Sequence, residues 1–235
     1  MPNYTFNTVA IIHTCYKEKF GIPRQPGLVN NLSTIEILSP YAQDEAFREL
    51  ENFSHIWLVF VFNGLKNASW KPTIRPPRLG GNKRVGVFAS RSMFRPNPIG
   101  LSVVELKSVK RKGGKILLEV IGADLLDKTP ILDIKPYIAY VDAIEHTRTG
   151  YAKETPMPKL DIVFSERVTK QLDENALTWP KLKTLITEIL QLDPRPAYLD
   201  KNKEKKHFSM KLYDFDVSWQ IENKHINVVS IKGLD

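Results

Sequence analysis

Leu101-Ser102-Val103-Val104-Glu105-Leu106-Lys107-Ser108-Val109, Ile116-Leu117-Leu118-Glu119-Val120-Ile121 and Ile131-Leu132-Asp133-Ile134 follow one another in the middle of the chain. Each run is short, rich in Val, Ile and Leu, and bounded by Gly, Pro, Asn or Asp, which is the pattern of strands in an all-β sandwich or barrel. Upstream, Thr8–Ile12, Ile35–Leu38, Ile56–Phe62 and Val85–Ala89 repeat it. One helix is predicted among them, with Asp44 as N-cap and Ala46, Phe47, Leu50 and Phe53 at helical spacing. His146 to Lys159 is polar, contains Gly150, Pro156 and Pro158, has no periodicity and reads as a linker or long surface connection.

Beyond the linker the pattern changes. A strand at Leu160–Phe164 precedes helical patterns at Glu166–Asn175 and Pro180–Leu192, and strands are predicted at Phe208–Tyr213, Val217–Ile221 and Ile226–Ile231. Glu222-Asn223-Lys224 reads as a hairpin turn, and Lys201–His207 as a polar, mostly basic loop. This is a small α+β unit of roughly 75 residues, large enough to fold but marginal alone.

Composition narrows the function classes. With 235 residues, 42% hydrophobic and 26% charged, the chain is neither disordered nor fibrous. Its longest apolar run, Ile56–Phe62, is far below the ~18 residues of a membrane span, and Met1–Phe6 lacks a basic n-region and an apolar h-region, so a cytosolic location is expected. Cys15 stands alone and the five histidines show no ligand spacing, so neither an internal disulfide nor a metal site is expected. Charge is the sharper signal. Lys and Arg number 34 against 26 Asp and Glu, a net charge of +8. Between Glu51 and Glu105 no acid occurs, while Lys66, Lys71, Arg75, Arg78, Lys83, Arg84, Arg91 and Arg95 all do. Solvated faces normally mix both signs, so this surplus favours a polyanionic partner such as RNA.

Four motifs carry the chemistry. In Phe94-Arg95-Pro96-Asn97-Pro98-Ile99-Gly100 the prolines hold Asn97 on a stiff, non-helical backbone. A rigid Asn amide can pair with the donor and acceptor of an adenine edge. The Asn/Asp-Pro-Pro-aromatic loop of DNA adenine N6-methyltransferases is similar in its first half only, and a Pro-rich turn with a structural Asn fits the same residues. Arg24-Gln25-Pro26-Gly27 and Arg75-Pro76-Pro77-Arg78-Leu79-Gly80-Gly81 can bring backbone N–H groups close to a ligand, or serve as tight turns. Neither is a P-loop or a Rossmann fingerprint. In Ile131–Tyr137 alternation puts Asp133, Lys135 and Tyr137 on one face, where the acid and the ammonium can pair to orient a substrate or simply decorate the surface. Asp193-Pro194-Arg195-Pro196-Ala197-Tyr198 stops a helix and presents Arg195 for phosphate and Tyr198 for base stacking, or packs Tyr198 on the sheet.

Taken together these motifs, with Tyr16-Lys17-Glu18-Lys19-Phe20, Pro23–Gly27, Arg75–Asn82 and Asp133–Tyr137, resemble the TsaA-like (YaeB) family across essentially the whole chain. The resemblance implies a tRNA methyltransferase that uses S-adenosylmethionine to methylate N6 of adenosine 37, beside the anticodon, already modified to N6-threonylcarbamoyladenosine. It implies a single-sheet β-barrel unlike the Rossmann methyltransferases, here over residues 1–145, with a C-terminal α+β domain over 158–235, and a homodimer with the cofactor bound near the subunit contact. By motif match the cofactor contacts fall at Gln25, Pro26, Gly27, Arg91 and Leu101, with Asn63, Gly64, Ala123, Asp124 and Leu125 beside them.

On that resemblance Asn97 holds the adenine or ureido edge, Asp133 accepts or orients the N6 proton, and Lys135 meets the threonyl carboxylate or a phosphate. Arg75, Arg78, Lys83, Arg84, Arg95, Arg195 and Tyr198 are the expected RNA contacts. The alternative is a non-catalytic tRNA-binding module, which would ignore S-adenosylmethionine. An enzyme acting on a small molecule fits poorly with the concentrated basic charge.

Overall fold

Alternation along residues 55–61 sends Ile56, Leu58 and Phe60 inward and leaves Trp57, Val59 and Val61 on the other side. The same period runs through six strands that close on themselves. The computed structural model describes residues 3–64, 69–156, 160–195, 207–222 and 225–234. In chain order the strands are β1 (Ala10–His13), β2 (Leu32–Ile37), β3 (His55–Val61), a short ribbon of β4 (Thr73–Ile74) and β5 (Val85–Gly86), then β6 (Ile99–Lys112), β7 (Lys115–Ile121) and β8 (Thr129–Pro136). The barrel runs β1-β2-β7-β6-β3-β8, every neighbouring pair antiparallel. Closure removes the exposed edges a flat sheet would carry. A barrel this small is filled by its own side chains, here Ile12, Ile35, Leu58, Leu118, Val120 and Ile131 among others. Gly100 is required where β6 crosses Phe60, because a Cβ there would run into the Phe60 ring.

Two sequence expectations are corrected. The helix expected from Asp44 to Phe53 is instead two 3-10 turns, Asp44–Phe47 and Leu50–Asn52, separated by Glu49 at φ +67°. Asp44 caps nothing: its carboxylate accepts from Arg111 Nε at 2.6 Å, while Phe47 is buried in the barrel core and Leu50 packs against it. Plugging the core with those two side chains outweighs the helical ladder. Val85–Ala89 is strand only as far as Gly86 and continues as a 3-10 turn that buries Val87.

The remainder builds a second core. Strand β9 (Asp161–Phe164) leads into helices α1 (Glu166–Glu174) and α2 (Leu182–Gln191), followed by β10 (His207–Leu212), β11 (Phe215–Glu222) and β12 (His225–Gly233). The sheet order is β10-β11-β12-β9, with β9 parallel to β12. Ser165 caps α1, its hydroxyl accepting from the Val168 amide at 3.3 Å. The β11–β12 pair meets at Glu222 and His225, and the turn residues Asn223 and Lys224 lie outside the described residues.

The connection from β1 to β2 belongs to this second core rather than to the barrel. Cys15, Tyr16 and Val29 are buried with Ile186, Met210 and Trp219, and Phe20 stacks on Trp219. The Tyr213 amide donates to the Cys15 carbonyl at 2.8 Å and the Lys211 amide to Glu18 Oε1 at 3.0 Å. Burial pushes the Cys15 thiol up to about 12, so it remains neutral packing.

Candidate active site

Between the barrel wall and the C-terminal unit lies an open cleft of about 2320 Å³. That is well above the ~300–1,000 Å³ of a small-molecule pocket, so the space suits a small ligand together with part of a larger one. Among the described residues ten Lys and Arg line it against three acids, Asp124, Glu154 and Asp193.

Local chemistry joins three distant segments at its floor. Arg91 Nη1 donates to Gln25 Oε1 at 2.6 Å. The Gly27 amide donates to the Gly122 carbonyl at 2.9 Å, and Gly122 sits at φ +86° with its α-carbon so close to Gly27 that an added Cβ would lie 3.2 Å from that backbone. Only glycine accommodates both demands. Asn63 Nδ2 donates to the Lys128 carbonyl at 3.3 Å, and Lys19 Nζ to the Gly64 carbonyl at 2.6 Å. Gln25, Asn63, Gly64, Arg91, Leu101, Asp124 and Leu125 therefore all line the cleft. Pro26, Gly27 and Ala123 do not line it; Gly27 forms the backbone seam and Ala123 is fully buried in the barrel core.

Asp124 is the cleft acid whose carboxyl burial shifts upward. Burial pushes its carboxyl up to about 6, against the opposing pull of the Ser102 hydroxyl, which donates to Oδ1 at 2.5 Å, and of the Arg91 charge. Ser102 was not anticipated from sequence. Its signal was nevertheless present, as a polar residue at an inward position of β6 beside Val104 and Leu106.

The expected RNA contacts divide. Arg75, Arg78, Arg84, Arg95 and Arg195 line the cleft; Lys83 does not, and Tyr198 lies outside the described residues. Arg78 donates to the Glu154 carbonyl at 2.7 Å and Arg84 to Thr73 Oγ1 at 2.8 Å, contacts that aim the guanidinium groups without neutralising them. Arg195 is different: Nε and Nη2 fork onto Asp193, both at 2.7 Å, and this raises its already high pKa. Arg24, absent from the expected contacts, donates to the Arg195 carbonyl at 3.1 Å and ties the Gln25 loop to the end of α2.

Asn97, Asp133 and Lys135 do not line the cleft. Asn97 is exposed in a tight turn closed by the Ile99 amide on its carbonyl at 2.7 Å. Asp133 pairs with Lys135 at 2.8 Å on the outer barrel face, and this carboxylate raises the Lys135 pKa. The register Leu101–Val59–Asp133 across β6, β3 and β8 sets Asp133 two strand spacings, roughly 10 Å, from the cleft-lining Leu101. The pair flanks the cleft.

Known proteins resemble this chain along nearly its whole length. The family model described as the tRNA-methyltransferase O N-terminal domain matches residues 11–143, and the TrmO C-terminal domain matches 157–234. The tRNA (adenine(37)-N6)-methyltransferase of Escherichia coli K12 is 42% identical over 233 residues, 99% of each chain. A Pseudomonas aeruginosa protein provisionally named an S-adenosylmethionine-dependent methyltransferase is 41% identical, also over 99% of each chain. The crystal structure of TrmO from Pseudomonas aeruginosa superposes with a TM-score of 0.80 at 35% identity, covering 99% of this chain and 98% of that one. The chain belongs to the tRNA-methyltransferase O family.

Proposed function

We propose that this protein transfers a methyl group from S-adenosylmethionine to N6 of adenosine 37 in tRNA, and that the adenosine it accepts carries the N6-threonylcarbamoyl group. The observation that carries the reading is the meeting of Gln25, Asn63–Gly64 and Asp124–Leu125 inside one cleft whose charged lining residues are mostly basic. The donor set suits the cofactor. Arg91 and Gln25 offer hydrogen-bond donors to a carboxylate, and Phe60, Phe62 and Leu101 offer apolar surface. When bound, S-adenosylmethionine supplies a methyl group already activated as a sulfonium. What the protein adds is position: the cross-linked loops hold one reactant while the arginines hold the phosphates of the other, so that attack becomes effectively unimolecular.

Residues 1–145 carry the cofactor contacts in this account and residues 158–235 steady them and extend the tRNA surface. The chain acts as a homodimer with its subunit contact near the cofactor cleft, and Lys135, held by Asp133 at 2.8 Å, and Asn97 stand beside that cleft for a threonyl carboxylate, a phosphate or a base edge. The setting is the cytoplasm. Calorimetric titration with S-adenosylhomocysteine tests the reading: binding is expected in wild type and lost or much weakened in Arg91→Ala, and a wild-type protein that gives no heat of binding overturns it.

A further inference from the structure

We propose that Asp124 is the catalytic group that takes the N6 proton as the methyl group is transferred. This rests on the methyltransferase reading above and extends it to the step that reading leaves open. The N6 of a threonylcarbamoylated adenosine belongs to a urea, so its lone pair is delocalised and the nitrogen is a poor nucleophile while it keeps its proton. As the N6–carbon bond forms, the carbon–sulfur bond breaks with its electron pair going to sulfur, and the N6 proton passes to a carboxylate oxygen of Asp124. The acid then returns that proton to solvent through the open cleft.

The geometry singles out this residue. Of the three acids lining the cleft, Asp193 is forked onto Arg195, and Glu154 stands in the connection leading to the C-terminal unit. Asp124 alone is on the barrel wall, among the cofactor-contact segments. It is fixed from both sides: Ala123 and Leu125 are buried, and the Leu125 carbonyl accepts from Thr14 Oγ1 at 3.0 Å. Ser102 occupies Oδ1, and among the described residues no other residue donates to Oδ2. A general base works best with a pKa close to the working pH, and burial has moved this carboxyl up to about 6. The titratable groups facing it are Arg91 and Tyr16. Burial pushes the Tyr16 phenol further up, so it does not titrate between pH 5 and 9.

The test is single-turnover methylation of threonylcarbamoylated tRNA from pH 5 to 9 by wild type, Asp124→Asn and Ser102→Ala, with S-adenosylhomocysteine affinity measured by calorimetry on each. In wild type the rate should rise with pH and level off above a midpoint near 6. Asp124→Asn should be slower by about 10²–10⁴ with that acid limb gone and its affinity for S-adenosylhomocysteine within a few-fold of wild type. Ser102→Ala, which removes a bond that favours the charged form, should move the midpoint upward. An Asn variant whose rate recovers at saturating cofactor would make Asp124 a binding contact only. A limb that persists unchanged in both variants would overturn the proposal while leaving the methyltransferase reading intact. A wild-type protein that methylates no tRNA would take both down together.

Discussion

Phe20 lies flat on Trp219, ring centroids 5.8 Å apart and planes 1° from parallel, although one residue belongs to the loop leaving β1 and the other to the C-terminal sheet. The loop that carries Gln25 begins three residues later, at Pro23. Its position is therefore set by the second core. A Phe20→Ala change removes the stack and part of the burial, which should cost about 2 kcal/mol, or roughly 4–8 °C in melting temperature for a chain of this size. The informative readout is S-adenosylhomocysteine affinity, expected to weaken about 3–10-fold by calorimetry below the melting range. Unchanged affinity would mean that the loop holds its shape without the C-terminal unit.

Gly122 is the second constraint on that loop. Alanine there meets an unfavourable φ, costing about 1–2 kcal/mol, and pushes the Gly27 backbone away. Gly122→Ala should lose cofactor affinity more than it loses thermal stability, whereas Gly114→Ala, also at positive φ but with open space around it, should leave affinity alone. Equal losses of affinity in the two variants would contradict the seam.

The arginines are distinguishable by salt. Each phosphate contact removed should flatten the log–log salt dependence of tRNA binding by roughly 0.7–0.9. Arg78→Ala and Arg84→Ala, which line the cleft, are expected to show this, and Arg195→Ala much less, because Asp193 already neutralises it. Filter binding from low to moderate salt reads the slopes directly; a large change with Arg195 and none with Arg78 would reverse the assignment.

Asp124 also has a signature in stability. Its folded pKa, about 6, lies above the ordinary aspartate value of 3.8. The folded state therefore binds more protons than the unfolded one between those values, and stability falls as pH rises through that window. Asparagine removes the cost of burying the charge. Above pH 7, Asp124→Asn should be more stable than wild type by something on the order of 2 kcal/mol, a gap that closes near pH 4. Melting curves across this range check it, and a gap independent of pH would contradict the burial argument.

Alternation along the chain made the barrel strands legible, because a period of two survives in sequence wherever one face is buried. It gave Leu101–Val109 where β6 runs from Ile99 to Lys112, and it paired Asp133 with Lys135, which meet at 2.8 Å. Ring closure was not legible, since partner choice such as β2 with β7 depends on contacts far apart in sequence. The 44–53 segment misled because Phe47 and Leu50 recur at helical spacing for a different reason, namely that both fill the barrel core. At the site, the Pro26-Gly27 turn showed that the backbone could bend, but not that Gly27 would touch Gly122. Asp193 and Arg195 read as a helix terminator flanked by charges; their fork needs the left-handed Asp193 backbone, at φ +50°, which no local pattern announced.

Methylation of N6 of the modified adenosine can be read from the product itself, by incubating the protein with tRNA and methyl-labelled S-adenosylmethionine and digesting the tRNA to nucleosides for mass spectrometry. One labelled methyl group is expected on N6-threonylcarbamoyladenosine, absent when Arg91 is replaced by alanine. Label on a different nucleoside, or none on tRNA that the protein demonstrably binds, would contradict it.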